Sequence, residues 1–220
     1  IKMIVDKKKI SNFLVKEKLS DPWDIIDLFE KKVSKFSGSK YAVAVDCCTN
    51  AIFLCLKFYN KKKILTIPEN TYISVLTALS LANYKFKIKK IDWVGSYQIK
   101  PTPIIDSATR FTKNMYLKKT LTCLSFHHRK HIPIGRGGMI LTDSLKAYKW
   151  LKKARYDGRD LSVNYAKDDF KSAGWHMYMT PEQAYYGLKL LKNFKNTDAN
   201  RASSKTYKSI KKYHKFYKTK

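Results

Sequence analysis

The chain has 220 residues, 44% of them hydrophobic, and a formal net charge of +28 at neutral pH. That length and apolar share can bury one proper core, while no apolar run is long enough to read as a membrane span. Cys47, Cys48, Cys55 and Cys123 have neither metal-ligand nor thioredoxin-like spacing, so no metal site is expected and they read as reduced core thiols.

Only 17 acidic residues stand against 45 basic ones. The excess favours polyanionic partners or substrates, with a lysine-rich solvated surface as the plainer alternative. No leader peptide is recognisable at the start as given, and a cytoplasmic location is expected.

The hydrophobic period switches repeatedly between helix and strand. Pro22 opens a helix whose apolar positions Ile25, Ile26, Phe29, Val33 and Phe36 recur at helical spacing until Gly38. Residues 41–45 predict a strand, 49–58 a buried helix, 64–67 a strand, 71–82 a helix and 86–91 a strand. Strands follow over 103–106, 121–126 and 138–142, with helices at 144–155 and 182–194. Thr180-Pro181-Glu182-Gln183 offers a capping box for the last of these. Alternating β and α elements predict a three-layer α/β fold, a mostly parallel sheet flanked by helices.

The tail differs from what precedes it. Tyr207, Ile210, Tyr213, Phe216 and Tyr217 form an apolar stripe among lysines, which predicts a basic amphipathic helix over 201–220, set apart from a domain over 1–200. Such a helix packs on its own domain or docks on an anionic surface.

One stretch concentrates chemistry. The strand at 121–126 carries Ser125 near its end, Lys130 follows in a loop with His127, His128 and Arg129, and Gly135-Arg136-Gly137-Gly138 opens the next strand. Upstream, an apolar strand ends on Asp106. A lysine for a Schiff base, hydroxyls and amides for a phosphate, and a carboxylate for a ring nitrogen together suggest a pyridoxal phosphate site.

With these residues in view, the chain resembles the DegT/DnrJ/StrS sugar aminotransferases. Asp46-Cys47-Cys48-Thr49-Asn50-Ala51 resembles their phosphate turn, and Ile67-Pro68 through Thr71-Tyr72 their Pro-x-x-Thr-aromatic segment. Ile105-Asp106-Ser107-Ala108 is similar to their Asp-Ala-Ala segment, Ser125-Phe126-His127 through Lys130 to Ser-Phe-His-x-x-Lys, and Gly135–Gly138 to Gly-Glu-Gly-Gly. Gly174-Trp175 through Gln183-Ala184 resembles their later Gly-Tyr-Asn-Tyr-Arg stretch. Six segments in the same order make the resemblance.

It implies the large domain of the aspartate-aminotransferase type of fold, with the small C-terminal domain largely missing. It also implies a site for pyridoxal 5'-phosphate in which Lys130 is the catalytic lysine, general base and acid. Cys48, Thr49 and Ser125 hold the phosphate, Tyr72 stacks on the ring, and Asp106 keeps the ring nitrogen protonated. His176 faces a partner subunit's phosphate. Each has an ordinary structural alternative: a helix cap for Thr49, a core tyrosine for Tyr72, a turn-capping carboxylate for Asp106, a strand-end hydroxyl for Ser125, a packed surface histidine for His176. Arg129 and His131 are expected to lower the Lys130 pKa by like-charge proximity.

The resemblance further implies a homodimer with sites at the subunit interface, a nucleotide-linked keto sugar as substrate and glutamate as amino donor. The chain departs from the family's pattern at Thr109, Arg136, His176 and Tyr178, and between Asp92 and Asp106, where a strand-and-helix excursion is missing. The alternative function is a non-catalytic or cofactor-binding-only descendant whose basic surface binds nucleic acid or another polyanion.

Overall fold

The computed structural model describes residues 7–61, 63–196 and 199–217. Its first helix, α1 (Lys7–Glu17), has no counterpart in the sequence reading. Helix α2 (Asp24–Ser37) follows, burying Ile25, Ile26, Phe29 and Val33. It stops at Gly38, whose φ of 80° is a left-handed cap that glycine adopts at little cost. Next come β1 (Tyr41–Val45), α3 (Cys48–Tyr59), β2 (Leu65–Pro68), α4 (Ser74–Leu81) and β3 (Phe86–Lys89). A two-residue strand β4 (Tyr97–Gln98) precedes β5 (Ile104–Asp106), β6 (Leu121–Ser125) and β7 (Gly138–Thr142). Helices α5 (Leu145–Ala154) and α6 (Pro181–Lys192) complete the regular elements, α6 with the capping box expected at Thr180 and Gln183.

The larger sheet has the order β1-β7-β6-β5-β4, and β2 pairs in parallel with β3 beside it. Two backbone hydrogen bonds between Thr66 and Lys100 join β2 to the chain just beyond β4. Strands β5 and β6 run parallel, and β1 shares their direction, because β7 is antiparallel to both β6 and β1. Apart from β7 and the short β4, therefore, the strands run one way. Alternation sorts the side chains of each strand between two faces. Val43, Val45, Leu121, Cys123 and Ile140 pack with α3, α4 and α5, whereas Ala42, Ala44, Leu124, Met139 and Leu141 pack with α2 and α6. Helix α1 adds Ile10, Phe13 and Leu14 to that second layer. The fold is thus a helix–sheet–helix sandwich, as the alternating pattern predicts.

The free edge of β1 is closed by charge. Glu30 Oε1 on α2 accepts the Ala44 N–H at 2.8 Å, and Arg155 after α5 donates to the Ala44 carbonyl at 2.5 Å and to Glu30. Glu30 and Arg155 are buried, and Lys152 Nζ reaches Glu30 Oε2 at 3.0 Å. An edge peptide that would otherwise offer itself to another strand is capped on both of its polar groups.

The tail departs from expectation. Instead of one amphipathic α-helix over 201–220, the described residues form short 3₁₀ turns at Ser204–Thr206 and Lys211–Tyr217. The segment runs back across the molecule: the Gly95 N–H donates to the Ala202 carbonyl, Ser204 N–H to the Trp93 carbonyl, and Ile210 N–H to the Glu69 carbonyl. Ile210 is buried in the main core. The strip therefore lies against the connection between Asp92 and Asp106, where the sequence lacks an excursion. A strand expected to continue to Ile91 stops at Lys89, and the helix expected from Thr71 begins at Ser74. Among the described residues no helix is long and apolar enough to cross a membrane.

Candidate active site

The C-terminal ends of β5 and β6 and the N-terminus of α3 meet at one place. Strand alternation puts Ser125 on the same face as Cys123, which lies under α3 with its Sγ 3.7 Å from Cys55 Sγ. Ser125 pairs with Gly138 in the β6–β7 ladder. Gly138 in turn lies against the α3 N-terminus so closely that an added Cβ would stand 2.5 Å from the Cys47 carbonyl carbon and 2.7 Å from Cys48 N. Only a residue without a side chain lets β7 and the backbone at the start of α3 approach like this. Gly138→Ala is expected to lower stability by about 1–3 kcal/mol in urea unfolding, through displacement of the helix start. An unchanged midpoint would show that the approach can relax freely.

Cys47 caps α3, and the amides of Cys48 and Thr49 fall in the first turn, where no intrahelical acceptor exists. This is an anion-favouring end. Its rim is fixed by Asp46, which accepts from Asn50 Nδ2 at 2.7 Å and pairs with Arg136 at 2.6 Å. Arg136, standing where the resembling family carries an acid, thus neutralises Asp46 at the start of this turn. The Thr49 hydroxyl donates to Ser74 Oγ at 2.8 Å, tying α3 to α4, so the amide of Thr49 rather than its hydroxyl is presented.

Asp106 is buried, and burial raises its pKa; hydrogen bonds from Tyr97 Oη and the Ala108 amide and the charge of Lys130 act against that rise. Tyr97 Oη lies 2.7 Å from Asp106 Oδ2, and the Ala108 amide 3.0 Å from Oδ1. Lys130 is half-buried, and burial lowers its pKa, while the charges of Cys48 and Asp106 pull it back up. The expected influence of Arg129 and His131 is not the cause. Arg129 is exposed, and His131 is buried on the other face of the sheet against Phe111 and Phe194. Cys48 is buried and its thiol pushed well up, first by burial and then by the charge of Asp106. Lysine, carboxylate and helix N-terminus are therefore within electrostatic reach of one another.

Other expected residues sit differently. Tyr72 precedes α4 in an exposed position, 61% accessible, with Tyr207 of the tail edge-on at 6.5 Å. His176 is not brought into the cluster by its side chain: its ring lies outside, exposed, with Nδ1 2.9 Å from Asp157 Oδ2. The adjoining Met177 carbonyl does reach the site's rim, accepting the Asp46 amide. Thr109 turns away too, donating to the Gly95 carbonyl at 2.9 Å.

Sequence reasoning missed Tyr97 and Tyr207. Burial raises the pKa of Tyr207, with further upward pushes from Asp106, Tyr72 and Cys48, and its ring packs 5.7 Å from Trp93. No local motif marks either tyrosine; only the short β4 and the returning tail bring them here. Among the described residues, no group of three or more His, Cys, Asp or Glu side chains is placed to hold a metal ion.

The residues present fit pyridoxal phosphate. Asp106 is a buried carboxylate whose hydrogen bonds come from neutral donors, an amine with a lowered pKa stands nearby, and the first-turn amides of α3 adjoin both.

Comparisons with known proteins bear on the fold. The fold is similar to the sugar aminotransferase CalS13 from Micromonospora echinospora (TM-score 0.67, 14% identity, 77% of this chain and 60% of that one). It is also similar to Helicobacter pylori PseC, an aminotransferase involved in the biosynthesis of pseudoaminic acid (0.64, 17%, 77% and 57%). A third such structure is DesI in the presence of its TDP-sugar product (0.62, 14%, 85% and 57%). The chain thus spans about 60% of the length of the solved structures it matches. None of the curated proteins compared with the chain matches it. The model of the DegT/DnrJ/EryC1/StrS aminotransferase family matches residues 5–117 and 117–212, nearly the whole chain, and the protein belongs to that family.

Proposed function

We propose that this chain is the cofactor-binding part of a pyridoxal-phosphate-dependent aminotransferase that moves an amino group, from glutamate, to the keto group of a nucleotide-linked sugar. The observation that carries the reading is that Lys130, Asp106 and Cys48 at the α3 N-terminus lie within electrostatic reach of one another. When bound, the cofactor supplies an electron sink beside the nitrogen being transferred.

This chain's residues do the rest. Lys130 would be the amine that holds the cofactor covalently, free at lower pH than an exposed lysine because burial disfavours its ammonium form, and once an incoming amino group displaced it, its Nζ would carry the proton between carbon atoms. Asp106 holds a proton on the ring nitrogen by charge. The Cys48 and Thr49 amides and the Ser125 hydroxyl hold the phosphate, and Tyr72 covers one face of the ring. The nucleotide-sugar substrate is supported by relatives of the same fold, one solved in the presence of its TDP-sugar product and another with bound GDP-perosamine. A cytoplasmic homodimer, with His176 facing the partner's phosphate, completes the proposal, and the tail that packs on the main core belongs to the same cofactor-binding unit.

Colour tests it. Purified protein given the cofactor is expected to show a visible absorption band that glutamate converts to the amine form. Protein that stays colourless under saturating cofactor sinks the reading.

A second reading, a non-catalytic binder of polyanions, draws on one observation. A groove of about 900 Å³ between α1, α2 and α6 is lined by Lys9, Lys16, Lys32, Lys35, Lys189 and Lys192, over an apolar floor. Tight, salt-sensitive binding of random DNA by cofactor-free protein is its signature.

A further inference from the structure

Tyr97 belongs to none of the matched motifs. It lies on β4, in the shortened connection between Asp92 and Asp106, and is buried with its hydroxyl 2.7 Å from Asp106 Oδ2 and 2.7 Å from Thr71 Oγ1. Thr71 is buried as well. The direction of this chain of hydroxyls follows from the inventory of protons. An ionised carboxylate has only lone pairs, so the single proton of Tyr97 goes to Asp106, and Thr71 must donate to the Tyr97 oxygen.

We infer that Tyr97 is a positioning residue for Asp106: the relay from Thr71 through Tyr97 fixes the carboxylate's orientation and holds its negative charge. The inference rests on the pyridoxal phosphate reading, in which that charge keeps the ring nitrogen protonated.

The surroundings make the hydroxyl matter. Asp106 is faced by Tyr97 from β4, Cys48 from α3, Cys123 from β6, Lys130 from the loop after β6, and Tyr207 from the tail. Lys130 alone in this set brings positive charge, and it acts on Asp106 less strongly than the Tyr97 hydrogen bond does. A buried carboxylate that lost this donor would move towards its neutral form. Tyr97→Phe removes the donor and leaves the ring, which packs 5.2 Å from Trp93.

The test compares wild type, Tyr97→Phe and Thr71→Val, each with and without pyridoxal 5'-phosphate. Without cofactor, the Asp106 carboxyl is followed by carbon NMR of aspartate-labelled protein. Its titration midpoint is expected to rise by about one unit or more in Tyr97→Phe. With cofactor bound at wild-type stoichiometry, the pH at which the lysine-linked chromophore loses its proton is expected to rise too. A ring nitrogen that is no longer protonated stops opposing positive charge on the conjugated nitrogen. The glutamate half-reaction is expected to slow roughly tenfold.

Unmoved midpoints in Tyr97→Phe, in a protein that binds cofactor, overturn the relay and leave the cofactor reading standing. Wild type that takes up no cofactor overturns the reading, and the inferred role of Tyr97 with it, even if the carboxyl midpoint moves. Should Tyr97→Phe fail to fold, Thr71→Val decides: a smaller shift in the same direction supports the relay, and none overturns it.

Discussion

Lys130→Ala is expected to abolish the visible band, its fixation by borohydride and the glutamate half-reaction. Turnover should fall by at least the roughly 10²–10⁴-fold that a positioned acid–base group contributes. Lys130→Arg is expected to fail equally, since a guanidinium keeps the charge but offers neither a nucleophile nor a proton it can release. Retention of a borohydride-stable adduct in Lys130→Ala would assign the covalent role to another of the chain's many lysines.

Removing the Lys130 amine, as in Lys130→Met, has a pH signature in the cofactor-free protein. Burial holds the folded-state pKa of Lys130 below its unfolded value, so between the two the unfolded chain binds more protons. Wild-type stability should therefore rise with pH across that window, relative to Lys130→Met, and level off above the ordinary lysine range near 10.5. At neutral pH the methionine variant should melt at the higher temperature, since it carries no half-buried ammonium. Differential scanning at a series of pH values reads this directly, and a gap that widens with pH would contradict it.

Glu30→Ala is expected to cost about 3–5 kcal/mol in urea unfolding, the largest stability loss of any single substitution considered. Removing that carboxylate strands the Arg155 charge and the Ala44 amide together, both buried. A cycle with Arg155→Met should return a coupling of roughly 2–3 kcal/mol, because the double variant no longer buries a lone charge. A Glu30→Ala protein within about 0.5 kcal/mol of wild type would mean that water replaces the pair at the β1 edge.

Much of this architecture could be read from the sequence where one local pattern decides. Ile25, Ile26, Phe29 and Val33 announce α2 by spacing, and Gly38 ends it. Helix α1 carries a briefer version of the signal in Ile10, Phe13 and Leu14, but a run of lysines hides it. The tail misled for an instructive reason. Tyr207, Ile210, Tyr213 and Phe216 recur every third residue, which is the 3₁₀ period rather than the α-helical one, and the observed turns are 3₁₀.

For the site, Lys130, Asp106 and Cys48 stand in ordered motifs and do come together. His176 also stands in one, yet Asp157, 19 residues away, holds its ring outside. Tyr97 and Thr71 could not be read as partners of Asp106, since their meeting depends on how the short β4 pairs with β5.

The tail that closes over Trp93 and Asn70 has a bearing on how the molecule is assembled. Asn70 bonds to Tyr207 across 137 positions of chain, and Glu69 to Ser209 across 140. Part of the surroundings of Asp106 is thus supplied by nearly the last described residues, in contacts of high sequence separation that form slowly compared with local ones. During synthesis the nascent chain has its lysine, carboxylate and helix end long before this strip emerges. Competence to grip a ligand at this place should accordingly arrive late and as one event, when residues 199–217 dock.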